Sequence, residues 1–278
     1  MRILITGTSS GIGQFLAEHL GQAGHSIWGL ARSPQTDFEA ACRANGINFS
    51  SSLCDVSDWG QVQRVRDQVQ KSWDSVDALI CCSGVQAPIG PAMQADPALW
   101  SQNIRVNLDG TFYPIRAFHD LLARPGKRSK VVCFSGGGAT SPRPNFSAYA
   151  AAKCAVVRLV ETLSQEWQGS ACDINAIAPG AIFTKMTEET LAVGAAVAGH
   201  KEFALAAEQK EKGDAPLQKV GGLVDFLLSS DSDGISGRLI SAPWDPWPNL
   251  KQHKAALESN DIFTLRRIRP EDRGLKWD

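Results

Sequence analysis

Tyr149 and Lys153 stand four residues apart in "YAAAK" (149–153), a spacing that on a helix projects both side chains from one face, a turn apart. A free phenol titrates at about pH 10, too high to act as a base at neutral pH, and an ammonium held beside it stabilises the phenolate. Such a pair is built for general acid or base work. The same stretch, "SGGGATSPRPNFSAYAAAK", opens with the hydroxyl of Ser135 and then Gly136, Gly137 and Gly138, which tolerate unusual dihedrals. Far away in sequence, "TGTSSGIG" (6–13) sets Gly7, Gly11 and Gly13 around Ser9, Ser10 and Ile12. Glycines there let a tight turn bring backbone N–H groups to a pyrophosphate, with the positive end of a following helix aimed at the same anion. Taken singly, the first pattern also describes an amphipathic helix and the second a plain turn, so both depend on what positions them.

The positioning elements follow from periodicity. Short apolar runs at 2–7, 26–31, 78–84, 130–136 and 173–180 read as buried strands, and segments at 13–23, 59–72, 97–122, 148–167 and 219–229 carry apolar residues at helical spacing. Strands apolar on both faces, alternating with helices, predict a single α/β domain with a doubly wound parallel sheet in three α/β/α layers. The chain has 278 residues, 43% hydrophobic, enough for a sizeable core. A net charge of -1 gives no footprint for nucleic acid or an anionic membrane. The first apolar run is too short for a signal segment or a membrane span. Seven scattered cysteines without a C-x-x-C pair suggest neither a disulfide framework nor a zinc site, and fit a reducing, cytoplasmic setting.

The order of motifs resembles the short-chain dehydrogenase/reductase family, whose dinucleotide domain is Rossmann-like: "TGTSSGIG", Asp55-Val56 after the third strand, Gly84 closing the fourth, "VNLDGTF" (106–112), "YAAAK" and "NAIAPGAIFTKM" (175–186). The likeness runs to about residue 240, with 241–278 as an extension. It implies an NAD(P)-dependent oxidoreductase that moves a hydride between nicotinamide and a carbonyl or hydroxyl carbon of a small polar substrate. In it, Tyr149 is the acid or base, Lys153 also binds the nicotinamide ribose, and Asn107 holds a water linking Lys153 to solvent. Asn107 also reads as an interior cap of the 97–122 helix. The glycine turn with Ser9, Ser10 and Ile12, then Ser83, Gly84, Pro179, Gly180, Ile182 and Thr184, implies the rest of the dinucleotide site. Asp55 and Val56 would bracket the adenine. Where NAD-preferring members carry a ribose-binding acid, this chain has Ala31, then Arg32 and Ser33; Arg32 suits a 2'-phosphate, and NADP(H) is favoured over NAD(H). The usual "NNAG" is replaced by Cys81-Cys82-Ser83-Gly84, which predicts local repacking.

The serine of this family lies 13 residues before the tyrosine, at a position that is Gly136 here, with Ser135 one residue early. Either a bulge brings the Ser135 hydroxyl round, or another donor serves. The pocket is expected from 85–91, 137–146 and a lid over 184–213, where Arg143, Lys185, His200 and Lys201 either meet an anionic substrate or are solvated. The resemblance also implies a homodimer or homotetramer through the helices of Asn107 and Tyr149. The Trp-rich extension, with Trp244, Trp247, Leu250, Ile262, Phe263 and Leu265, is expected to dock on the core or a neighbouring subunit. Two other readings are weaker: a noncatalytic NADP(H) sensor, and a cofactor-free relative such as a halohydrin dehalogenase, whose pattern replaces the lysine and loses the glycines.

Overall fold

The apolar runs become the centre of one sheet. In the computed structural model, which describes residues 1–122, 126–213 and 215–277, the strands are β1 (Arg2–Thr6), β2 (Ser26–Ala31), β3 (Phe49–Leu53), β4 (Ala78–Cys81), β5 (Ser129–Phe134), β6 (Cys172–Ala178) and β7 (Leu239–Ser241). They pair in parallel in the order β3-β2-β1-β4-β5-β6-β7. The order reverses between β1 and β4, the place where open sheets of this kind hold ligands beyond their carboxyl ends. β3 reads "FSSSL" and lacks an apolar run because it is an edge strand; its Ser52 hydroxyl accepts from the indole of Trp28 at 2.9 Å.

Eleven helices surround the sheet among the described residues: α1 (Gly11–Gln22), α2 (Thr36–Ala44), α3 (Trp59–Ser72), α4 (Pro97–Ile104), α5 (Gly110–Leu122), α6 (Ser147–Glu166), α7 (Lys185–Val193), α8 (Ala195–Ala198), α9 (His200–Lys212), α10 (Ala215–Leu228) and α11 (Lys254–Ser259). Strand alternation sorts the core. Leu4, Leu79, Val131 and Ile174 face α3, α5 and α6 through Val65, Phe118 and Val157. Ile3, Ile5, Ile80 and Ile177 face α1 and α10 through Leu16, Leu20, Val220 and Leu223. Both faces are covered, as the parallel sheet requires.

The single helix expected over 97–122 is interrupted by a π-helical turn, Arg105–Asp109, between α4 and α5. Asn107 lies in it, fully buried, and its own carbonyl is taken by the Thr111 hydroxyl at 2.8 Å. Such turns reset the phase of a helix and aim a side chain that regular winding would turn elsewhere.

The extension folds back on its own chain. Leu239 N–H, on the free edge of β7, donates to Phe263 O at 2.8 Å. Arg238 Nη1 donates to the carbonyls of Asn260 and Ile262 at 3.0 and 2.7 Å, its Nη2 donates to Leu257 O, and Glu161 accepts from Leu265 N–H at 2.6 Å. Leu250 and Leu257 are buried with α10, and Trp247 and Phe263 pack against the same core. Trp244 and Ile262 face outward.

Candidate active site

At the carboxyl end of β1 the chain turns at Gly7 with φ +80°, and a Cβ there would lie 2.9 Å from Ser83 N, so the turn and the end of β4 touch. Thr6 Oγ1 accepts from the N–H groups of Cys82 and Ser83 at 3.0 and 3.1 Å. This hydroxyl ties β1 to the β4 end in a chain that lacks the expected asparagine. Cys81 lies opposite Cys133 in the ladder and both are buried; its hydrogen bond with Cys133, and then burial, push the Cys81 thiol well above its usual range. These thiols pack as small apolar groups.

A groove of about 580 Å³ runs across the sheet end. One end is walled by Ala31, Arg32, Ser33, Asp55 and Val56; the middle by Gly7, Ser9, Ser10, Gly11, Ile12 and Gly13; the far end by Ser83, Gly84, Ser135, Tyr149, Lys153, Pro179 and Thr184. Most of the residues picked out by sequence thus share one surface. Gly180 and Ile182 do not: Gly180 backs onto Pro243, and Ile182 is buried in the core. Asn107 is behind the wall. The groove also takes in Cys82, Val106, Lys185 and Met186, which lie within the quoted motifs but were given no place at the dinucleotide, and Cys54, Phe134 and Glu189, to which the sequence reading assigned no role.

The groove fits a dinucleotide. Ser10 is the N-cap of α1 but its hydroxyl makes no cap bond, so the helix end faces the groove uncapped by a side chain, as an anion site requires. The Asp55 carboxylate is steadied by Ser57 N–H and hydroxyl at 2.9 and 2.6 Å. No acid stands at the end of β2, where Arg32 and Ser33 are exposed.

At the far end, α6 delivers Tyr149 and Lys153, both almost fully buried. Lys153 Nζ donates to Phe134 O at 2.9 Å and lies 5.6 Å from the Tyr149 ring centre. Burial pulls its ammonium down from 10.5 to about 8. Burial also pushes the Tyr149 phenol above its usual value, and the cation that opposes this shift is Arg143, whose guanidinium is 5.5 Å from the ring. Lys153, the ammonium expected from the sequence to stabilise the phenolate, is not what opposes the shift in the neutral phenol. Asn107 Nδ2 donates to Val85 O at 2.8 Å and to Asn103 O and Oδ1 at 3.0 and 2.9 Å. A Cβ at Gly84 would meet Asn107 Oδ1 at 2.9 Å and Lys153 Nζ at 3.5 Å, so the two polar ends converge there.

The serine register has a physical reason. Ser135 continues the ladder without a bulge, its N–H donating to Ile177 O at 2.8 Å, and its hydroxyl reaches Lys153 O at 3.5 Å. Gly136 leaves the sheet beneath the phenol: a Cβ there would sit 3.0 Å from Tyr149 Cζ and nearer still to Oη. The tyrosine occupies the space a serine at 136 would need.

The lid is helical. α7 and α8 cover the tyrosine, with Phe146, Tyr149 and Ala198 packed against Ile89 and Met186. Gln86 Nε2 donates to Met186 O and Thr190 Oγ1 at 2.9 and 2.8 Å, and Arg143 pairs with Glu202. Lys185, His200 and Lys201 are exposed.

Residues 1–193 match the family model described as short chain dehydrogenase. The chain belongs to the short-chain dehydrogenase family. It is 34% identical over 193 residues to the 2-dehydro-3-deoxy-D-gluconate 5-dehydrogenase of Pseudoalteromonas atlantica, covering 66% of this chain and 73% of that one. It is 30% identical over 184 residues to the L-tagatose-forming galactitol 2-dehydrogenase of Cereibacter sphaeroides, covering 66% and 72%. Among solved structures, a Beutenbergia cavernae protein described as a candidate NAD(P)-dependent gluconate 5-dehydrogenase, with bound NADP at low occupancy, superposes with a TM-score of 0.75 at 25% identity, covering 87% of this chain and 94% of that one. This short-chain dehydrogenase is therefore an NAD(P)-dependent oxidoreductase of hydroxyl and carbonyl carbons. No helix among its described residues is long and apolar enough to cross a membrane.

Proposed function

We propose that the protein is an NADP(H)-preferring oxidoreductase of a sugar alcohol or ketose, with Tyr149 as the proton-transfer group. The observation that carries this is the single groove that joins the glycine turn and Arg32 to Tyr149 and Lys153. Arg32 and Ser33 would take the 2'-phosphate, Asp55 and Val56 the adenine, the Gly7 to Gly13 turn the pyrophosphate, and Pro179 and Thr184 the nicotinamide side. Bound nicotinamide supplies or accepts the hydride.

Tyr149, kept protonated by its burial, donates its phenolic proton to a carbonyl oxygen during reduction and takes one back from a hydroxyl during oxidation. Ser135 orients that oxygen: its bond to Lys153 O is long, hence weak and easily exchanged for one to substrate. Lys153 stabilises the phenolate, and Asn107, converging with it at Gly84, holds the water that returns the proton to solvent. The lid excludes bulk water from the phenol. Exposed Leu99 on α4 and Phe112 on α5 support a homo-oligomer through those helices, and the seven free cysteines support a cytoplasmic setting.

The test is Tyr149→Phe with a panel of polyols and ketoses. Turnover should fall by about a hundredfold to ten-thousandfold while NADPH still binds, read by its fluorescence. Persisting turnover in the variant refutes the assignment.

A further inference from the structure

Beside the phenol the lid holds a charge pair: Arg143, which opposes the upward shift of Tyr149, and Glu202, which proton transfer does not use. Arg143 lays its guanidinium 3.9 Å from the Phe146 ring centre and 5.5 Å from that of Tyr149. Glu202, on α9, accepts from Nε at 2.9 Å and from Nη2 at 2.8 Å, both through its Oε2. Gln86 Oε1 also accepts from Nη2, at 3.3 Å. The two side chains are only 16% and 20% exposed, so neither charge is left to water. Elsewhere on the lid, Lys185, His200, Lys201 and Lys210 are exposed to solvent.

Two consequences follow. On the lid side of Tyr149 the guanidinium brings no uncompensated charge, because the chain's own Glu202 already pairs with it. A substrate carboxylate would have to displace Glu202 and leave that acid mostly buried and unpaired, which is strongly unfavourable. In addition, Glu202 engages Arg143 through one oxygen only, and among the described residues no partner meets Nη1 of Arg143 or Oε1 of Glu202. A donor beside an acceptor matches neighbouring hydroxyls of a polyol, each of which both donates and accepts.

We propose that the Arg143–Glu202 pair sets the charge of the substrate: it selects an uncharged polyol or ketose over a sugar acid, Glu202 holding on Arg143 the place that a substrate carboxylate would take. This rests on the hydride-transfer reading above. It divides the relatives' two kinds of substrate by a residue beyond the family-matched stretch 1–193, so the selector sits on the lid and the chemistry on the shared core.

The experiment is steady-state oxidation of D-mannitol, galactitol and xylitol against D-gluconate with NADP, followed by NADPH absorbance, for wild type, Glu202→Gln and the double variant Arg143→Gln/Glu202→Gln. Wild type should favour the best neutral polyol over gluconate by at least about tenfold in kcat/KM. Glu202→Gln frees the guanidinium and should move that ratio toward gluconate by at least about tenfold, and the double variant should lose the gain. A wild type that prefers gluconate overturns the inference even if no variant folds, and so does an unchanged ratio in Glu202→Gln. Turnover on both classes with an unchanged ratio leaves the oxidoreductase reading standing, whereas no turnover on either class overturns that reading and this inference with it.

Discussion

Replacing Lys153 by methionine should stabilise the protein at neutral pH, without dinucleotide, while removing its turnover. The lysine is 3% exposed, and burial lowers its ammonium from 10.5 to about 8. Because the unfolded chain holds that proton more tightly, the charge opposes folding fully below pH 8, and the penalty fades as pH rises toward 10.5. The drop is worth about 3 kcal/mol. Losing the bond from Nζ to Phe134 O returns about 1–2 kcal/mol of it, so the net gain at pH 7 is about 1–2 kcal/mol. Urea denaturation of wild type and Lys153→Met at pH 7 and at pH 10 separates the two contributions, since the hydrogen bond and the packing cancel between the pH values. The advantage of the variant should shrink by about 2 kcal/mol from pH 7 to pH 10. A variant equally destabilised at both values would refute the claim that a buried charge is held here at a cost to stability.

Gly136→Ala should displace the phenol, costing about 1–3 kcal/mol by overpacking and lowering kcat, so wild-type kcat and melting in that variant would show the close approach is unimportant. Ser135→Ala should reduce kcat by about tenfold to a thousandfold; an unaltered kcat removes the hydroxyl from the reaction. Arg32→Ala should raise KM for NADP by about tenfold or more, with NAD little affected, and an equal effect on both cofactors would count against a 2'-phosphate contact. Deleting 254–278 strips Leu257, Phe263 and Leu265 from the core and bares the edge of β7; the truncated chain should lose at least about 3 kcal/mol in urea denaturation, and a full-length-like transition would contradict a structural role for the tail.

The fold was largely legible because its signals are local. Apolar runs and helical spacing lie within a few residues of one another, and they place β1, β2, β4, β5 and β6 and the helices α1, α3, α6 and α10 to within a few residues. β3 escaped the apolar-run reading because an edge strand needs no second apolar face, and β7 because it is three residues long. The π-helical turn at Asn107 escaped the reading because one extra residue shifts the apolar spacing by a single position without interrupting it.

From sequence alone came the parts whose geometry is set within one turn or one loop: Tyr149 and Lys153 on one helical face, the glycine turn ahead of α1, and Arg32 in place of an acid after β2. Tertiary structure alone decided what surrounds them. Gly136 is a glycine because the phenol rests on it, Lys153 holds its proton less tightly because it is buried, and Arg143 finds Glu202 59 residues later. Desolvation and through-space charge depend on which distant segments pack together, and spacing along the chain does not encode that.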